Sequence, residues 1–117
     1  MHSEPLRDRL RAALTVALKN RDRTQASTIR AVLSAIDNAE AVEAGAGVRA
    51  GAVEASPVGA GAAEVARREL SEADVVEIVR REIEEQRRAA AVFEKSGRGD
   101  RAGELRAAAE MVSRFLE

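Results

Sequence analysis

The chain has 117 residues, about one domain's worth, of which 45% are apolar, 33% charged and 2% aromatic, with no Cys, Trp or Tyr. That excludes disulfides, thiolate metal sites and Cys nucleophiles, and Leu, Ile, Val and Phe total 26 residues, just above the fifth of the chain below which so charged a sequence stays disordered. A net charge of −1 gives no global field toward nucleic acid or anionic lipid, so any such binding must be local.

Twenty-five alanines favour helices and close helix packing, so an all-α fold is expected. From Leu6 to Asn20 the apolar residues Leu6, Leu10, Ala13, Leu14, Ala17 and Leu18 recur at three and four, which predicts a first helix over 6–20. Residues Asn20 to Asp22 break it. Asp22 with Gln25 has the form of a capping box, and the stripe Ala26, Ile29, Val32, Leu33, Ile36 and Ala39 predicts a second helix over 23–43. So short a connection implies antiparallel neighbours. Residues 44–63 carry Gly45, Gly47, Gly51, Pro57, Gly59 and Gly61 without a sustained period, and are predicted to form a long Gly/Ala-rich loop. Ser71 as N-cap, Glu72 and Asp74 in the first turn, and Leu70 opposite Val75 as a staple open a third helix over 72–96, which Gly97 stops. Asp100 is predicted to cap a fourth helix over 101–116, with Leu105, Ala108, Ala109, Val112, Phe115 and Leu116 on its inner face.

These elements predict two antiparallel helical hairpins packed as a single four-helix domain over 1–117. The expected core is Leu10, Leu14, Ile29, Leu33, Ile36, Val79, Ile83, Phe93, Leu105, Val112 and Phe115. Leu33→Ala is expected to be costly in so Ala-rich an interior, since burying a Leu contributes about 1.5–3 kcal/mol.

Chemistry-bearing constellations are scarce. The single imidazole, His2, sits at a terminus, so no Ser-His-Asp arrangement is built on it, and zinc and iron lack their usual ligands. No catalytic residue, cofactor or structural metal is expected. Gly45 to Ala50 and Gly97 to Ala102 both fit G-x-G-x-x-A, but a dinucleotide site needs a strand before the glycines, and here helices precede them. Arg98-Gly99-Asp100 spells the integrin tripeptide, and since no secretory signal is expected from residues 1–11 it is read as a chance match. Glu77 with Arg81, Arg80 with Glu84, Arg81 with Glu85 and Glu84 with Arg88 lie at i,i+4 and read as a solvated, mutually neutralised face. Residues 1–38 hold seven basic against four acidic side chains, a local charge of +3, with Arg7 and Arg11 one turn apart. Without Trp or Tyr to stack on bases, RNA binding there would read backbone and shape. With no apolar run near the roughly 18 residues of a membrane span, a cytoplasmic protein is expected.

Leu18-Lys19-Asn20-Arg21-Asp22, Ile29-Arg30 and Asn38-Ala39-Glu40 in the first hairpin resemble the N-terminal part of the GatB/YqeY family. Leu70-Ser71-Glu72-Ala73-Asp74, then Phe93-Glu94-Lys95-Ser96-Gly97-Arg98 with Asp100, and Phe115-Leu116 at the close extend the match over nearly the whole chain outside the Gly/Ala segment. The resemblance implies a helical domain similar to that near the C-terminus of the B subunit of the tRNA-dependent amidotransferase, which amidates Glu-tRNA(Gln) or Asp-tRNA(Asn). It implies a role in docking tRNA or an amidotransferase complex, without catalysis, with Arg7, Arg11, Arg30 and Arg98 as candidate contacts. Family members continue past a Tyr-Leu-Pro into a small tail domain. This sequence stops at Phe115-Leu116-Glu117, so the tail is expected to be lacking and surface near Phe115 and Leu116 to stay uncovered for a protein partner or a second copy.

Overall fold

The computed structural model describes residues 4–52 and 70–117, with 42–52 as backbone only. Among the described residues there are four α-helices and no strand: α1 (Leu6–Lys19), α2 (Arg23–Ala52), α3 (Glu72–Lys95) and α4 (Gly99–Ser113), the last tightening into a 3₁₀ turn over Arg114–Leu116. The all-α prediction and the pairing into two hairpins hold.

Each hairpin turns on the same hydrogen-bond pattern. After α1, the Arg21 N–H donates to the Leu18 carbonyl at 3.1 Å and the Asp22 N–H to the Ala17 carbonyl at 2.9 Å. After α3, the Gly97 N–H donates to the Glu94 carbonyl at 3.1 Å and the Arg98 N–H to the Phe93 carbonyl at 2.8 Å. Both are Schellman closures, whose first residue beyond the cap must turn left-handed. Gly97 does so with φ +81°, while Arg21 does so with φ +57° despite its Cβ. A fully buried alanine sits on either side of each turn, Ala17 and Ala26 in one hairpin and Ala90 and Ala102 in the other. Small side chains there let the paired helices approach closely.

The starts of α2 and α3 follow their sequence signals. The Gln25 N–H donates to Asp22 Oδ1 at 3.0 Å, and at α3 the capping box is reciprocal: the Asp74 N–H donates to Ser71 Oγ and the Ser71 N–H to Asp74 Oδ2, both at 3.1 Å.

Two boundaries depart from the predictions. The predicted loop begins at 44, whereas α2 runs to Ala52, so the first nine of its residues are helical; residues 53–63 lie outside the described ones. Isolated glycines cost a helix about 1 kcal/mol each but do not end it, and the intervening alanines carry it on. Asp100 does not cap α4: the helix opens at Gly99 behind Arg98, leaving Asp100 in the first turn, where its charge faces the positive end of the helix dipole.

The core is a cluster of Leu6, Leu10, Ile29, Val32, Ile36, Val75, Val79, Ile83, Ala109 and Val112. Six predicted core residues are there. Leu14, Leu33 and Phe115 are half-buried on its margin, and Phe93 and Leu105 lie outside it, also half-buried. Leu33 is therefore a weaker anchor than its neighbours Val32 and Ile36, both 0% exposed. Leu18, on the predicted inner stripe, is 47% exposed, because the closing turn directs Ala17 inward at that level. Phe115 and Leu116, predicted on the inner face of the last helix, pack against the core while staying half-buried.

Hydrogen bonds from Leu6 and Arg9 join the hairpins. Pro5 caps α1 without a side-chain acceptor, and the Leu6 N–H donates instead to Glu72 Oε2 at 2.8 Å. Arg9 Nη1 donates to the Phe115 carbonyl at 3.1 Å, where the last carbonyls of the 3₁₀ turn carry partial negative charge.

Candidate nucleic-acid interface

The sequence-predicted cations fall in different surroundings. Arg7 is only 19% exposed, lies between α1 and α2, and binds Asp37 and both oxygens of Glu40, the latter at 3.2 Å. Those bonds, to Glu40 first and Asp37 second, raise its pKa above the ordinary arginine value against the opposing effect of burial. Its charge is spent inside the protein, and it is withdrawn from the candidate surface. Arg11 is exposed and pairs with Asp8 at 3.7 Å. Arg98 lies in the turn of the other hairpin, its guanidinium 5.5 Å from the centre of the Phe93 ring.

Arg30 has different company. It lines a cleft of about 460 Å³ at the tip of the first hairpin together with Arg21 and Arg23, against a wall of Leu18. The tight turn places Arg21 and Arg23 on either side of Asp22, and Arg30 follows Arg23 by seven residues, two helical turns on the same face of α2. All three guanidinium groups belong to exposed residues and form no ion pair among the described residues. The one carboxylate in the cleft, Asp22, accepts the Gln25 N–H. An anion entering here meets three cations and an acid already engaged by a helix N-terminus.

Arg21 and Arg23 were absent from the sequence-predicted contacts. The signal for them was available: neither they nor Arg30 has a carboxylate three or four positions away along the chain, whereas Arg7 and Arg11 have Glu4 and Asp8. What sequence could not show was that Arg7 meets its partners on α2, at Asp37 and Glu40.

The stretch from Phe93 to Asp100 is accounted for by the second turn. The Phe93 and Glu94 carbonyls accept its closing bonds, Glu94 pairs with Arg106 of α4 at 3.3 Å, Lys95 sits in the last turn of α3, Gly97 supplies the left-handed residue and Arg98 covers Phe93. Of the ion pairs predicted on α3, Glu84 with Arg88 closes at 3.7 Å, while Arg80 turns back to Glu77 at 3.9 Å.

Among the described residues no cluster of His, Asp or Glu has the geometry to hold a metal ion, and no helix is long and apolar enough to cross a membrane. His2 lies outside the described residues. Comparison of the chain with protein-family models, with curated proteins and with solved structures gave no match.

Proposed function

We propose that the protein is a non-catalytic accessory module related to the tRNA-dependent amidotransferases, which docks tRNA through its phosphate backbone. The observation that carries this reading is the gathering of Arg21, Arg23 and Arg30 around one cleft, exposed and without ion pairs among the described residues. The resemblance of Leu18-Lys19-Asn20-Arg21-Asp22 and Ile29-Arg30 to the GatB/YqeY family supports it, since the cleft is built from those stretches. The contact set changes accordingly: Arg21, Arg23 and Arg30 make the main contacts, Arg11 and Arg98 are peripheral, and Arg7 is structural. Binding is electrostatic and shape-directed, because no aromatic ring lines the cleft among the described residues.

Filter binding of tRNA over a salt series tests the reading. Three phosphate contacts give a slope of log K against log salt of about −2.7. The pair Arg21→Glu and Arg30→Glu should abolish binding at low salt, and Arg7→Gln should leave the slope unchanged. Absence of low-salt binding, or indifference to the charge reversal, rejects the proposal.

A further inference from the structure

On the far side of α2 from the arginine cleft lies a second, larger recess of about 620 Å³ between α2 and α3. Arg30 and Ala39 are nine residues, two and a half turns, apart on α2, which puts these two side chains on opposite faces of the helix. The α2 wall is the step Ala35, Asn38, Ala39. The α3 wall is a single helical stripe, Asp74, Glu77, Ile78, Arg81, Glu82 and Glu85, spaced at three, four, seven, eight and eleven from its first member. Leu70 closes one end.

The recess combines an apolar floor with a predominantly acidic rim. Ala35, Ala39, Leu70 and Ile78 are half-buried, so an occupant would remove apolar surface that the fold leaves partly wet. Around them stand four carboxylates and one guanidinium. Asp74 is committed to the capping box of α3. Glu82 and Glu85 remain one turn apart on the rim. Burial, and then the neighbouring charge of Glu85, push the Glu82 carboxyl above its usual range, so an approaching cation would relieve a repulsion already built into the wall.

We propose that the recess between α2 and α3 docks a basic amphipathic helix of a partner protein, its apolar side on Ala35, Ala39 and Ile78 and its cations over Glu77, Glu82 and Glu85. Small residues on α2 let a third helix approach closely, as in a bundle, and the α3 stripe from Asp74 to Glu85, with a rise of about 16 Å, offers three turns of contact. The size of the recess lies within the range of about 300–1,000 Å³ typical of binding clefts. This is helix-in-groove recognition, with complementary charge setting the partner's sign. It is independent of the arginine cleft and stands whether or not tRNA binds there.

The test uses fluorescence anisotropy of a labelled amphipathic peptide of Leu and Lys, with a Leu and Glu peptide of the same pattern as control. The Leu/Lys peptide should bind and the Leu/Glu peptide should not. Glu82→Lys with Glu85→Lys should weaken binding by about tenfold or more. Asn38→Arg, at an exposed position on the other wall, should weaken it independently without touching α3. Arg21→Glu with Arg30→Glu, on the opposite side of α2, should leave affinity within about twofold. Circular dichroism melting of each variant shows that it is folded. No binding by the wild-type chain overturns the proposal, as does equal affinity for folded recess variants. So does light scattering in which the chain alone self-associates and recess variants abolish it, since the occupant would then be a second copy.

Discussion

Arg21 and Gly97 occupy the same position in the two hairpin turns, one residue past the cap and left-handed, with φ +57° and +81°. Only one of them is suited to it. An L-residue pays about 1–2 kcal/mol for that conformation, whereas glycine adopts it freely. The first hairpin therefore holds an arginine under backbone strain at the mouth of the cleft that gathers Arg23 and Arg30.

Arg21→Gly should stabilise the protein by up to about 1 kcal/mol, the relief of strain less the added entropy of the unfolded chain. On the proposed reading it should also weaken tRNA binding, because one of three cations is gone. Urea denaturation and filter binding on one preparation check both. A stabler variant that binds tRNA as well as wild type would remove Arg21 from the interface. At the other turn a Cβ on Gly97 would meet nothing within 4 Å, so Gly97→Ala should destabilise through torsion alone, by about 1–2 kcal/mol.

Glu72 supplies the cap that Pro5 cannot, accepting the Leu6 N–H across 66 residues of sequence. Glu72→Ala should cost about 0.5–2 kcal/mol, the range for loss of an N-cap acceptor. Hydrogen exchange separates this from an effect on α3: the Leu6 amide should lose protection, while the Asp74 amide, held by Ser71 Oγ, should keep it.

Arg7 has two acidic partners of unequal burial, Glu40 at 16% exposure and Asp37 at 62%. Double-mutant cycles should give a coupling of about 1 kcal/mol or more with Glu40 and a few tenths with Asp37, because solvent screens the exposed pair. The pKa of Arg7 is raised in the folded state, so its contribution is fully present below the unfolded value and disappears only as strongly alkaline pH passes the folded one. Stability measured from mild acid to neutrality should show no titration attributable to Arg7.

Glu82 behaves oppositely to a salt-bridged acid. Its folded pKa is raised by burial and by Glu85, so relative stability is greatest below the unfolded pKa and is lost as pH rises through the folded one. Glu82→Gln should therefore stabilise at neutral pH and match wild type in acid. Thermal melts at both pH values read the difference. A gain in acid that vanishes at neutrality would have the wrong sign and exclude burial as the cause.

Much of the fold was legible because local signals and tertiary packing agree in it. Ser71 and Asp74 announced the start of α3, Gly97 its end, and period-three-and-four stripes located Leu10, Ile29, Ile36, Val79, Ile83 and Val112 in the core. Misreadings came where a local cue was overruled. Gly45, Gly47 and Gly51 read as a loop, yet alanine-rich helix continues through them. Phe93 continued a stripe inward, but its backbone closes the turn and its ring supports Arg98. The candidate interface was half legible. Arg30 lines the cleft together with Arg21 and Arg23, while the fate of Arg7 depends on Asp37 and Glu40 some thirty positions away, a separation over which periodicity carries no information.

The bond from Arg9 to the Phe115 carbonyl spans 106 positions. On the ribosome, α1 would emerge before α4 and wait through the synthesis of the intervening residues before that partner existed. At about 5–20 residues per second this is an interval of several seconds, far longer than a helix needs to form. The nascent first hairpin must persist unclasped meanwhile, and its arginine-bearing tip is complete long before the second hairpin arrives to hold it.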